Sequence, residues 1–215
     1  YGVKFEWCML MRRSIIGLIL FFCSQVMAQI STEHYIPPIG GTVPGVEKYI
    51  LVITALEEEP FEVSVTNGDG SYSQIVSVSK SQPVELTPTV NGIIKGFPQS
   101  QVYNKIKPDE GFFLKAEKPF FANLMVAVRW QADILTSKGI SGLGQEFYTA
   151  HMHTSYINTI ANIKSHFISV MATEDNTLVE FENNVVKFAG HSSHKFSVTL
   201  NRGESYIIGS NINHL

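Results

Sequence analysis

Residues 135–152 read Leu-Thr-Ser-Lys-Gly-Ile-Ser-Gly-Leu-Gly-Gln-Glu-Phe-Tyr-Thr-Ala-His-Met, and they divide the 215-residue chain into two strand-rich parts. The glycines of this stretch predict a flexible connection, because glycine reaches backbone angles that are closed to other residues. They are Gly139, Gly142 and Gly144. Residues 146–152 follow as a predicted strand. The chain is therefore expected to form a first β block, residues 29–130, and a second β block, residues 131–215.

The first block shows both hydrophobic patterns of β-strands. Residues 49–54 form a continuous apolar run, which predicts a strand buried on both faces. Residues 61–65 alternate between apolar and polar side chains, the period of a half-buried strand. Residues 67–70, Asn-Gly-Asp-Gly, predict a hairpin turn, and residues 75–78 predict its return strand.

The second block repeats this pattern at an offset of about 116 to 118 residues. Its predicted strands are residues 167–172, 179–182, 185–188, 196–200 and 205–208. The turn at residues 183–184 is expected to form one hairpin, and the turn at residues 201–204 another. Together the two blocks predict an all-β fold of β-sandwich or jelly-roll type, built from two related strand-rich units.

The N-terminal region predicts export. Residues 1–10 are interpreted as read-through from upstream, and residues 11–28 as a secretory signal peptide with a short basic start and an apolar run at residues 15–22. Cleavage is expected between Ala28 and Gln29. A membrane anchor is the alternative, but the apolar run is shorter than the roughly 20 residues that a span requires. A lipoprotein acylated at Cys23 is a second alternative, disfavoured by the bulky Phe22 before it.

The charge and the cysteine content argue against a nucleic-acid partner and against disulfide bonds. Loss of residues 1–28 removes three basic side chains and one acidic one, and the formal charge changes from −3 to −5. No basic cluster of the kind that binds nucleic acid is present. Both cysteines, Cys8 and Cys23, lie in the removed segment. The exported protein is therefore expected to be disulfide-free, without a membrane span, and stabilised by its core alone.

His151 and His153 are the strongest candidates for metal ligands. They lie two residues apart on the predicted strand, so both side chains would face the same side. With Gly144 upstream, the pattern is similar to the glycine-then-His-x-His signature of cupins, which are jelly rolls. Cupins carry a ligating glutamate a few residues later, whereas residues 154–160 contain none. The alternatives are a metal-dependent enzyme or lectin at this pair, or two ordinary polar histidines.

The remaining motifs predict no catalysis and no cofactor. His191 and His194, bordered by Gly190, are more typical of an exposed turn than of a zinc site, which would need two further ligands. The chain has no Gly-x-Ser-x-Gly elbow and no phosphate-binding loop. No cysteine nucleophile is left after cleavage. We therefore predict a protein that is not an enzyme and that has no catalytic residues.

Residues 142–150, Gly-Leu-Gly-Gln-Glu-Phe-Tyr-Thr-Ala, and residues 167–181, Phe-Ile-Ser-Val-Met-Ala-Thr-Glu-Asp-Asn-Thr-Leu-Val-Glu-Phe, carry a family resemblance. They resemble the IgGFc-binding protein N-terminal domain family, in particular its bacterial, adhesin-like members. This resemblance implies a secreted or cell-surface protein whose domain is followed by further modules. It also implies that the second block continues beyond Leu215.

The resemblance implies a non-catalytic interaction module that binds an extracellular protein or glycan. The candidate ligand-binding residues are Tyr103, Tyr148 and Tyr156, which lie in predicted polar loops. Tyrosine suits such surfaces because it offers apolar area and a hydroxyl at small entropic cost. The alternative is that these rings pack over sheet edges.

Overall fold

The computed structural model of the chain describes residues 29–39, 46–91, 93–94, 104–128, 131–149, 165–183 and 191–211. Residues 1–28, which include Cys8, Cys23 and Ala28, lie outside these ranges, and Gln29 is the first residue described. In the described residues the regular elements are β-strands and one 3₁₀ turn, and none is a helix long and apolar enough to cross a membrane. The predicted all-β class is confirmed.

The strands are, in chain order, β1 (Ser31–Ile36), β2 (Val46–Ala55), β3 (Phe61–Asn67), β4 (Ser73–Val78), β5 (Val84–Leu86), β6 (Thr89–Val90), β7 (Ile93–Ile94), β8 (Ile106–Lys107), β9 (Phe112–Val128), β10 (Gln131–Thr136), β11 (Ser165–Met171), β12 (Thr177–Glu182), β13 (Lys195–Leu200) and β14 (Ser205–Asn211). Strands β1 to β5, β9 and β10 form the first sheet. Strands β8, β11 and β14 form the second sheet, and two ribbons, β6–β7 and β12–β13, complete the set.

Strand β9 organises the first sheet. It has 17 residues and is about 55 Å long at roughly 3.3 Å per residue. Its first half pairs with β1 and β3, and its second half with β2 and β10. Five even-numbered side chains of β9 face the core and are buried: Phe112, Leu114, Phe120, Ala122 and Leu124. One continuous strand thus contributes to the first core along most of its length.

Pro119 lies inside β9 without interrupting it. The pairing with β3 ends at Ala116, and the pairing with β2 begins at Phe120. Proline has no N–H to donate and is tolerated where a ladder bond is not required. Pro119 falls in this gap, so two strand signals that look separate in the sequence form a single strand.

The strand predictions for the first block are confirmed in position. Residues 49–54 lie in β2, and its odd-numbered Tyr49, Leu51 and Ile53 are buried while the even-numbered residues between them are half-buried. Complete burial therefore holds for one face only. Strands β3 and β4 pair as a hairpin around the predicted turn at residues 67–70.

Asn67 joins this hairpin to the segment before β9. Its buried side-chain amide donates to Ser71 Oγ at 2.8 Å and to the Asp109 carbonyl at 3.0 Å. Its Oδ1 accepts the N–H of Tyr72 at 2.8 Å. The turn is thus held by a side chain that bonds both within the hairpin and beyond it.

We expect Asn67→Ala to lower the free energy of unfolding by about 2 to 3 kcal/mol, because buried polar groups would lose their partner. Urea denaturation followed by circular dichroism measures this change. Ser73→Ala, an exposed change in the same hairpin, should stay within about 0.5 kcal/mol of the wild type. Equal effects of the two substitutions would show that Asn67 has no anchoring role.

The second block forms two layers around its own core. In the second sheet β14 pairs with β11 on one side and β8 on the other, and the ribbon β12–β13 packs against it. The buried side chains that join the layers include Phe181, Leu200, Tyr206 and Ile208.

One hairpin prediction for this block is wrong. The turn at residues 201–204 joins β13 to β14, but β13 pairs with β12, and β14 pairs with β11 and β8. The turn therefore connects two layers, which allows alternate residues of both strands to face a common core. The predicted return strand at residues 185–188 lies outside the described residues.

Strand pairing crosses residue 130 in both directions. Strand β8 comes before residue 130 and pairs with β14, whereas β10 follows it and pairs with β9. The division of the chain at residue 130 into two blocks stays a prediction.

The β3–β4 turn and the β13–β14 turn meet at two glycines, Gly68 and Gly203. A Cβ atom added at Gly68 would lie 2.1 Å from the Gly203 carbonyl oxygen and 2.4 Å from that of Pro108. Next to this contact the Arg202 guanidinium lies 5.6 Å from the centre of the Phe113 ring. The β3–β4 turn and the β13–β14 turn therefore touch through their backbones, at a distance that only glycine permits.

Candidate interaction surface

Exposed apolar side chains are concentrated in one part of the described chain. Of the large hydrophobic residues that are exposed there, six lie within residues 134–148: Ile134, Leu135, Ile140, Leu143, Phe147 and Tyr148. We call these six side chains the 134–148 surface. Single exposed hydrophobic residues are normal in soluble proteins, whereas several of them within one short segment indicate a candidate binding region.

Strand β10 contributes the first two of these residues. It pairs with β9, Ile134 opposite Met125 and Leu135 opposite Leu124. Successive side chains of a strand point to opposite faces. Ile134 is 59% exposed and Leu135 is 49% exposed, so both faces of β10 present apolar groups to solvent near its end.

A 3₁₀ turn (Gly139–Gly142) contributes the next part of the surface, and β1 holds it in place. Gly139 is buried with φ of 57°, and an added Cβ would lie 2.3 Å from Ser31 Cβ. The N–H of Ile140 donates to Ser31 Oγ at 3.5 Å, and the Ser137 hydroxyl donates to the Tyr35 carbonyl at 3.5 Å. Gly139 and Gly142, predicted to lie in a flexible connection, therefore begin and end a 3₁₀ turn that contacts β1 at Gly139.

Phe147 and Tyr148 end the surface. The Phe147 ring folds back over Gly144, with its Cζ 3.1 Å from where a Cβ would stand. Tyr148 is 90% exposed, and its hydroxyl donates to Glu146 Oε1 at 2.6 Å. This hydrogen bond raises the pKa of Tyr148. The hydroxyl is thus oriented by a neighbouring carboxylate.

The strand predicted at residues 146–152 is wrong for residues 146–149, which form no strand pairing. Residues 150–152 lie outside the described ranges. Residues 144–148 instead form a local arrangement, in which Phe147 covers Gly144 and Tyr148 bonds to Glu146.

The surface combines apolar side chains with charged neighbours. Its exposed charged neighbours are Lys138 and Glu146, one of each sign. Its apolar groups would gain free energy by leaving water, at about 25 cal/mol per Å² of area buried. An oriented phenol next to them can add a directional hydrogen bond.

Of the predicted ligand-binding and metal-ligating residues, Tyr148 alone lies in the described part of the chain. Tyr103 and Tyr156 lie outside it, as does the alternative metal pair, His151 and His153. The sequence analysis did not single out the aliphatic members of the surface. The sequence did contain one signal for this surface. Ile134 and Leu135 are adjacent apolar residues near the end of a strand, and they break the alternation expected of a half-buried strand.

The other histidine pair has local structural partners. The His191 ring stacks on Phe196 with centroids 3.6 Å apart, and His194 Nδ1 lies 3.2 Å from the Asn183 carbonyl oxygen. Within the described residues no group of three His, Cys, Asp or Glu side chains could hold a metal ion.

Residues 132–213 match the family model described as IgGFc binding protein. The match covers less than half of the chain, and it includes the whole 134–148 surface and strands β11 to β14. The predicted resemblance to this family is confirmed for this part of the chain. No curated protein and no solved structure matches the chain.

Proposed function

We propose that the protein is an exported, non-catalytic module that binds an extracellular protein through the 134–148 surface. The observation that carries this proposal is the concentration of exposed apolar side chains on β10 and the segment after it. Apolar side chains that are exposed to water gain free energy from contact with another protein.

The family match supports a protein ligand. It begins at residue 132 and so contains the proposed surface. The printed name of the family refers to binding of the Fc part of immunoglobulin G, which makes that fragment the first ligand to test. Aliphatic groups dominate the surface, and this composition favours a protein partner over a glycan, which would call for more polar groups.

Export is the second part of the proposal. It is supported by the basic and apolar pattern of residues 11–28, with expected cleavage between Ala28 and Gln29. A secreted or cell-surface location would place the 134–148 surface where extracellular proteins can reach it. Mass spectrometry of secreted material should show a chain that starts at Gln29, and an acylated Cys23 would contradict this.

Phe147→Ser with Tyr148→Ser should weaken binding at least tenfold, because truncation of an aromatic residue that is buried in an interface often costs about 2 kcal/mol or more. Surface plasmon resonance with immunoglobulin G Fc and a panel of purified extracellular glycoproteins measures the affinity. Leu56→Ser with Ile75→Ser is the matched control, since these residues are 60% and 63% exposed outside the surface. The control should bind like the wild type.

Three results would contradict the proposal. One is the absence of saturable binding to any of these proteins, and another is equal binding by the two double variants. The third is binding on a glycan array with no binding to protein, which would assign the module to a different class of ligand.

A further inference from the structure

His34 is a buried histidine inside the first sheet. It lies in β1 opposite Leu114 of β9, and its side chain has no exposed area. Its Nε2 lies 2.8 Å from the Phe120 carbonyl oxygen and donates to it, which places the proton of the neutral ring on Nε2. The Phe120 ring lies against the imidazole, with centroids 4.7 Å apart. The ring Nδ1 is buried and makes no hydrogen bond.

A second proton on this ring would be unfavourable. Protonation converts Nδ1 into a donor and places a full charge in a site closed to water, which is unfavourable. This burial is the main cause that lowers the pKa of His34, and it outweighs the backbone at Phe120 and Ser31, which favours the protonated ring. In the described residues no charged side chain contributes to this pKa.

The charged groups around β1 face away from the His34 ring. Glu33 lies on the other side of β1, where its carboxylate pairs with Lys115 Nζ at 2.6 Å. Hydrogen bonds from Lys115 and Tyr35 lower the pKa of Glu33. On the outer side Arg202 acts on Glu33 and Tyr35. Lys138, which directly precedes the 3₁₀ turn, is exposed.

The pKa shifts of His34 and Glu33 place the titrations of these two groups in different pH ranges. The pKa of His34 in the folded protein is below its usual value near 6.5. In acid the released strand therefore binds a proton that the folded strand does not. Release of β1 becomes easier as pH falls below about 6.5. The Glu33 pair is retained until pH falls below the usual range of a glutamate, about 4.3. Between these limits His34 is the group of β1 that responds to acid.

Strand β1 also supports the proposed binding surface. Ser31 lies directly against Gly139 and accepts the N–H of Ile140, and the Tyr35 carbonyl accepts the Ser137 hydroxyl. The pairing of β1 with β9 is irregular between Ser31 and Glu33, next to this contact. Displacement of β1 would therefore remove the backing of the 3₁₀ turn.

We propose that β1 is an acid-released strand: protonation of His34 weakens its pairing with β9, and the turn that carries Ile140 loses its support. Release of β1 stands on the geometry of His34 alone. Its consequence, weaker binding by the 134–148 surface in acid, rests on the proposed function.

Hydrogen exchange of the whole chain at pH 7.5 and pH 5.0, corrected for intrinsic rates, tests the release. We expect residues 31–36 and 139–142 to lose about tenfold in protection at pH 5.0, as one proton allows up to tenfold per pH unit. Residues 195–200, in the other core, should keep their protection. Equal protection of residues 31–36 at both pH values would overturn the proposal.

His34→Gln should remove this pH dependence, since glutamine can donate to the Phe120 carbonyl but does not titrate. The chain has seven histidines, so His194→Gln, an exposed change, serves as the control and should respond to pH like the wild type. A His34→Gln protein that loses protection at pH 5.0 as the wild type does would also overturn the proposal. If this variant does not fold, the comparison of residues 31–36 with residues 195–200 in the wild type decides.

Affinity measurements separate this inference from the proposed function. Binding that weakens at pH 5.0 in the wild type and not in His34→Gln supports both. A complete lack of binding at pH 7.5 contradicts the proposed function. In that case the hydrogen-exchange measurement alone decides whether β1 is released in acid.

Discussion

Gly68→Ala is expected to lower the free energy of unfolding by about 3 kcal/mol or more, and to prevent folding if the protein is only marginally stable. A Cβ at this position would lie 2.1 Å from the Gly203 carbonyl oxygen and 2.4 Å from that of Pro108. Both obstacles are backbone atoms, which cannot move aside as a flexible side chain can. The two turns would have to separate, and the hydrogen bond from Gly68 N–H to the Gly111 carbonyl at 3.2 Å would be lost with them.

Gly70→Ala in the same turn separates this contact from backbone strain. Gly70 has φ of 75°, and an added Cβ would meet nothing within 4 Å. Its replacement should cost only the strain of the left-handed conformation, about 1 to 2 kcal/mol. Urea denaturation of both variants, each compared with the wild type, measures the difference. If Gly68→Ala is no more destabilising than Gly70→Ala, the contact between the two turns does not contribute to stability.

The role of Gly68 illustrates how much of the fold the sequence could predict. The Asn-Gly-Asp-Gly signal correctly located the β3–β4 turn because turn preference is a local property of the backbone. The contact with Gly203 joins positions more than a hundred residues apart, and no local pattern encodes it. For the same reason the sequence predicted a hairpin at residues 201–204, where the structure has a connection between two layers.

Strand β9 shows the same limit in another form. It continues through Pro119, which the sequence alone does not indicate, because proline normally ends strand pairing. In the structure, residues 117–119 of β9 pair with neither β2 nor β3, so Pro119 is not required to donate a hydrogen bond to them. Whether a proline interrupts a strand depends on its neighbours in the sheet, and those come from distant parts of the chain.

The candidate surface was predicted in part. Tyr148 was singled out for its chemistry, and it is the most exposed of the large hydrophobic residues in the described chain. Ile134, Leu135 and Phe147 were not, since apolar residues are expected inside a protein unless the structure shows them exposed. The site therefore became visible only when the burial of each side chain was known.

Phe112→Ala should lower the free energy of unfolding by about 3 to 5 kcal/mol, the usual cost of removing a buried phenylalanine ring. Phe112 has no exposed area, and it lies between Ile36 of β1 and Asn67 of β3, with the Tyr72 ring edge-on at 6.1 Å. Its truncation leaves a cavity between paired strands, which can relax little.

Phe113→Ala is the matched control, because it removes the same ring from the next residue of the same strand. Phe113 is half-buried on the opposite face, where the Tyr35 ring at 5.5 Å and the Arg202 guanidinium at 5.6 Å cover it. These surface contacts are weaker, so this change should cost about 1 to 2 kcal/mol. Chemical denaturation of the two variants gives both values. If Phe113→Ala is as destabilising as Phe112→Ala, both faces of β9 are equally buried. That result would contradict the alternation on which the first core depends.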